Sequence, residues 1–92
     1  MARRKAKNEN EEKISQVIEN IDMLMGDGSI PKNVKRSLSD ARLKLSTPGD
    51  PVFRATSAVY MLENVSEDIN LPMHARTHIW GIVSALETIK GD

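Results

Sequence analysis

The chain contains no cysteine, one each of Phe, Tyr and Trp, and no net charge, because 13 Lys plus Arg balance 13 Asp plus Glu in 92 residues. The first absence excludes a disulfide framework, a thiolate zinc site and a cysteine nucleophile, and it suits a reducing compartment such as the cytoplasm. Three aromatic rings are too few for a platform that stacks successive bases. No apolar run approaches the roughly 20 residues of a membrane span, and no apolar segment follows the basic start as it would in a secretory signal. Neutrality excludes a globally basic nucleic-acid binder. What remains is a 39% apolar chain. That is enough for one core, with folding hiding roughly 64% of the extended chain's surface.

From about residue 10 the apolar positions recur at helical steps of three and four. Ile14, Val17, Ile18, Ile21 and Leu24 mark a first helix that stops at Gly26-Asp27-Gly28. Val34, Leu38, Ala41 and Leu45 mark a second, opened by Ser29-Ile30-Pro31, where Ser29 is the expected cap, and closed by Thr47-Pro48-Gly49. A third follows the cap and first-turn proline Asp50-Pro51. A fourth follows Asn70-Leu71-Pro72 and runs through Ala75, Ile79, Ile82, Val83, Leu86 and Ile89, with Gly91 as its expected stop. Short connections favour antiparallel neighbours. The reading is an all-α antiparallel four-helix bundle over residues 10–92, preceded by a flexible basic tail at residues 1–9.

The second half repeats the first. A shift of 41 residues lays Pro31 on Pro72 and pairs Ile14 with Ala55, Val17 with Ala58, Ile18 with Val59, Ile21 with Leu62 and Leu24 with Val65. It continues through Ile30 with Leu71, Val34 with Ala75, Leu38 with Ile79, Ala41 with Ile82 and Leu45 with Leu86. Charge follows at Asp22 with Glu63, Asp27 with Asp68, and Lys35 with Arg76. Sliding two amphipathic hairpins into register would match the apolar stripe alone, so the shared proline, turns and charges point to two duplicated αα-hairpins, about 10–46 and 50–90.

The segment from Asp50 to Ala55, with Ala58 and Leu62, resembles the second-helix pattern of HEAT-type repeats, yet two repeats are short of the three or so an open solenoid needs. A more specific resemblance lies in Ile30-Pro31-Lys32-Asn33-Val34-Lys35-Arg36, in Asp50-Pro51 to Ala58, and in Leu71-Pro72-Met73-His74-Ala75-Arg76-Thr77 with Ile79-Trp80. These blocks resemble the archaeal uncharacterised protein family number 147, over residues 11 to 90. The resemblance implies a cytoplasmic helical bundle, and it carries no activity and no site residues. The basic tail and His78 depart from the pattern expected of that family.

Constellations that could carry chemistry are sparse. His74 and His78 share a helix face and could supply half of a metal site, but the other ligands are missing and Arg76 lies between them. No Ser or Thr stands in a nucleophile-elbow context, and Gly26 and Gly28 lack the spacing and lysine of a phosphate loop. Neither catalytic residues, nor cofactor or metal ligands, nor a small-molecule substrate are indicated.

Interaction surfaces are a richer source. Charge alternates by segment: +4 over residues 1–8, −5 over 9–30, +4 over 31–46, −3 over 50–70, and zero thereafter. Opposite charge on neighbouring helices can simply select their packing order. Alternatively, Lys32, Lys35, Arg36, Arg42 and Lys44, with Arg3, Arg4, Lys5 and Lys7, form a phosphate-binding face for RNA or a ribosome. The repeat exposes a second candidate. Where the first hairpin has Glu19, Asn20, Gly28, Lys32 and Ser39, the second has Tyr60, Met61, Ile69, Met73 and Trp80. These groups either fill a gap beside Ala55, Ala58 and Ala75 or face a protein partner or a second copy of the chain. The function expected is therefore a non-catalytic protein-binding or self-associating module using the third and fourth helices, with an RNA- or ribosome-associated role as the alternative.

Overall fold

The computed structural model describes the backbone of residues 2–89 and the side chains of residues 9–89, and there the apolar stripes form four helices and no strand. They are α1 (Ala2–Met25), α2 (Lys32–Ser46), α3 (Pro51–Ser66) and α4 (Met73–Glu87). The backbone of α1 begins at Ala2 and so runs through the basic segment ahead of the helix start expected near residue 10. Gly91 and the side chains of Arg3, Arg4, Lys5 and Lys7 lie outside the described residues.

Helix starts follow local chemistry. Asp50 caps α3 by accepting from the Val52 N–H at 3.2 Å, and Pro51 occupies the first turn, where its missing N–H has no partner to lose. Ser29 does not cap α2. Its amide and hydroxyl both donate to Asp27 Oδ1, at 2.9 and 2.6 Å, because an Asx turn satisfies them two residues back. The caps of α2 and α4 are instead Pro31 and Pro72, with φ/ψ of −60/151° and −59/149°, whose carbonyls accept from Lys35 and Arg76 at 3.0 Å each. Asn70 donates its amide to Asp68 Oδ1 at 2.8 Å, repeating the Ser29–Asp27 turn. Among the described residues Gly49 alone adopts positive φ, at 148°, turning the chain between α2 and α3.

Each helix packs on its neighbours in chain order and α4 returns to α1, closing an up-down-up-down bundle, with α2 and α3 the most intimate pair. The two hairpins bury the same positions. Of the ten apolar pairs aligned by the shift of 41, nine are buried in both hairpins, and the tenth, Ile18 with Val59, is half-buried in both. The arrangement approximates a pseudo-two-fold axis, an exchange of α1 with α3 and α2 with α4, although α2 packs more closely on α3 than α4 does on α1.

Candidate interaction surface

Polar contacts at the two ends of the bundle obey the same axis. At the hairpin-turn end, His74 Nε2 lies 2.8 Å from Asp27 Oδ2, and Asn33 Nδ2 donates to Asp68 Oδ2 at 2.9 Å. The shift of 41 sends Asn33 to His74 and Asp27 to Asp68, so this is one clasp made twice, tying the start of each hairpin's second helix to the other hairpin's turn. The Ser29 hydroxyl, then His74, then the Ser29 amide hold the Asp27 carboxyl well below the usual carboxylate range. At the opposite end, buried Arg54 donates its Nε to the Leu45 carbonyl at 3.1 Å and its Nη2 to the same oxygen, while Nη1 reaches Glu11 Oε2 at 3.0 Å and the Gly49 carbonyl at 3.3 Å. It caps the last turn of α2. Its repeat equivalent, Lys13, reaches the Thr88 carbonyl after α4 at 3.5 Å. Arg76 serves α3 in the same way, donating to the carbonyls of Ser66 and Asp68 at 2.9 and 2.8 Å.

Ser29, His74 and Asp27 thus come together, but not as a nucleophilic relay. His74 presents the same Nε2 to Ser29 Oγ, at 3.5 Å, and to Asp27, while Ser29 gives its proton to Asp27. A relay needs the imidazole to bridge nucleophile and acid through its two different nitrogens. His78 stays apart from this cluster, half-buried. Among the described residues no three His, Asp or Glu side chains converge as metal ligands.

The cations proposed for phosphate binding are only partly available. Arg42 Nε pairs with Asp22 Oδ1 at 2.6 Å, which raises the guanidinium pKa further, and Lys44 Nζ stands 4.9 Å from the centre of the Phe53 ring. Lys32 and Arg36 are exposed and Lys35 is half-buried at the start of α2.

The apolar candidates are exposed rather than core-filling: Tyr60 by 74%, Met73 by 65%, Trp80 by 52% and Ile69 by 91%. Thr56 and Val59 of α3, with Leu86, Glu87 and Ile89 of and beyond α4, line a groove of about 280 Å³, which identifies the flanks on which the two helices meet. Tyr60 follows Thr56 by one turn, Trp80 precedes Glu87 by two, and Met73 precedes Trp80 by two more, so these rings and the thioether rise from the rims of the α3–α4 face. Met61 turns away, since one residue moves about 100° around a helix; it lines a cleft with Ser37, Asp40 and Asn64 between α2 and α3. Exposed Phe53, seven residues before Tyr60, extends the apolar line on α3; the repeat comparison could have found it, since Glu12 is its counterpart.

Residues 1–89 match the model of the uncharacterised protein family UPF0147. The chain belongs to that family. A UPF0147 protein of Saccharolobus islandicus is 42% identical over 83 residues, covering 89% of this chain and 93% of its own. One from Methanosarcina acetivorans is 41% identical over 86 residues, with coverages of 92% and 89%. Two crystal structures share the fold at a TM-score of 0.81. A UPF0147 protein from Thermoplasma acidophilum is 30% identical over 88% of this chain and 96% of that one, and the unknown-function protein MMP1188 is 35% identical over 86% and 91%. The resemblance read from the Pro-Met-His-Ala-Arg block is thereby established. UPF0147 has no assigned activity, and no helix among the described residues is long and apolar enough to cross a membrane.

Proposed function

We propose that this UPF0147 protein is a non-catalytic interaction module of the cytoplasm whose α3–α4 face binds another protein. The observation that carries the reading is the contrast between two equivalent faces of one fold. Hairpin one covers its outer face with Glu19, Asp22, Lys32, Ser39 and Arg42, with Leu43 exposed among them, whereas hairpin two exposes Tyr60, Met73 and Trp80 where hairpin one has Glu19, Lys32 and Ser39. Exposed aromatic and methionine side chains grouped on one face are the composition of partner-binding surfaces. The test is capture from native lysate with the wild-type chain and with the Tyr60→Ser/Trp80→Ser variant, each with and without nuclease and at low and high salt. A nuclease-resistant partner, retained at high salt by the wild type and lost by the variant, is the expected result. Recovery of nuclease-sensitive material alone, by both chains, would refute it and favour the basic face of α2.

A further inference from the structure

The repeat also constrains the chemistry of the partner, given that the α3–α4 face is the docking surface. In hairpin one Asp22 is neutralised by Arg42, at 2.6 Å. The equivalent of Asp22 is Glu63, retained as an exposed acid, but the equivalent of Arg42 is Val83, so Glu63 has no ion-pair partner among the described residues. The same substitution of cations recurs along the helix: Lys32 becomes Met73 and Arg36 becomes Thr77. Glu67 and Glu87 add two further exposed carboxylates at the ends of this face, and its single cation among the described residues, Arg76, is half-buried and already committed to the carbonyls of Ser66 and Asp68. Apolar anchors inside an acidic rim, with the internal countercharges removed, make a surface whose missing cations are supplied from outside.

We infer that the α3–α4 face receives a basic amphipathic helix of another protein, its apolar side on Tyr60, Met73, Trp80 and the Val59–Leu86 groove, its lysines or arginines against Glu63, Glu67 and Glu87. A second copy meets this face poorly. A two-fold pairing through it sets the acidic rims against each other, and seating α2 of another copy brings cations but one exposed apolar side chain, Leu43, in a head-to-tail contact that does not close.

Trp80 is the chain's single tryptophan and stands on the face itself, so its emission reports occupancy directly. The probes are Trp-free helical peptides of about 18 residues, five helical turns, with one leucine-rich face and a polar face built either from lysine or from glutamate. The lysine peptide is expected to give a saturable blue shift and to bind about tenfold or more tighter than the glutamate peptide, the effect of two or three exposed ion pairs. Glu63→Lys/Glu67→Lys should abolish that preference, and Tyr60→Ser should weaken both peptides while leaving the unfolding transition in place. Equal affinity for the two peptides would overturn the basic-partner inference while leaving the docking face intact. No saturable shift with either peptide, or a concentration-dependent dimer in sedimentation that shields Trp80, would overturn the inference outright, and the lysate capture decides separately whether the face binds a protein at all.

Discussion

Arg54 is the residue on which one whole end of the bundle converges. It is 8% exposed and connects the last turn of α2, the Gly49 turn and Glu11 of α1. Removing its guanidinium leaves the Leu45 carbonyl without a donor in a dry setting, a loss of about 1–3 kcal/mol. Arg54→Ala should therefore lower the thermal midpoint by roughly 4–20 °C in a domain of this size, and an unchanged urea midpoint would show that water replaces it at no cost. Asp27 gives a different signature. Folding lowers its pKa, so its contribution is present above the ordinary carboxylate value of about 4 and is lost as pH falls through and below it. The gap in urea midpoint between the wild type and Asp27→Asn should be wide near pH 5 and close toward pH 2. A gap of constant width would mean that the carboxylate's charge plays no part. Neither role was legible in the sequence. Arg54 is one unremarkable cation in a helix, and its partners lie 9 and 43 residues away; His74 looked like half a metal site because its acid belongs to the other hairpin.

The helices themselves were legible because amphipathic spacing and Pro/Gly punctuation are local signals, and the chain obeys them from residue 14 to residue 89. Their exact starts were less so. Ser29 has the side chain of a cap, but Asp27 two residues earlier offers a stronger acceptor, and the proline then takes the N-cap place in α2 and again in α4. Repetition of this element makes a prediction possible. Asn33 already performs in hairpin one the contact that His74 performs in hairpin two, so His74→Asn should keep stability within about 0.5 kcal/mol at neutral pH. Loss beyond that in chemical denaturation would mean the two clasps differ in backbone geometry. Packing between the helices is less forgiving. Ala58 is fully buried where α3 meets its neighbours, and Val17 occupies its equivalent site. Ala58→Leu should cost about 1–3 kcal/mol through overpacking, read as a lower urea midpoint, and no cost would place a void beside Ala58.

At the scale of the whole molecule the pseudo-two-fold axis makes each hairpin the control for the other. Core pairs, turn clasps and end caps are exchanged by the axis, whereas the outer faces are not: one is a salt-bridged, mainly polar surface with Leu43 exposed on it, and the other carries Tyr60, Met73 and Trp80 with an acidic rim. The divergence was visible in the sequence as a series of unlike pairs, but whether those side chains filled a gap or met solvent depended on how two helices flank each other, which no local pattern encodes. A transplant of one face onto the other tests the consequence. Tyr60→Glu, Met73→Lys, Trp80→Ser and Val83→Arg together copy Glu19, Lys32, Ser39 and Arg42 onto hairpin two and give Glu63 the countercharge that Asp22 enjoys. Three of the four sites are exposed, and the arginine equivalent to Val83, Arg42, is half-exposed and paired with Asp22, so the bundle should stay folded within about 1 kcal/mol of the wild type. Partner capture and lysine-peptide binding should both disappear, because the anchors are gone and the rim is neutralised from within. If the transplanted chain folds and still captures the partner, the α3–α4 face is not the docking surface. If it unfolds, Tyr60→Ser/Met73→Ser removes two anchors from exposed sites without touching the core, and partner binding retained by that variant would equally exclude the α3–α4 face as the docking surface.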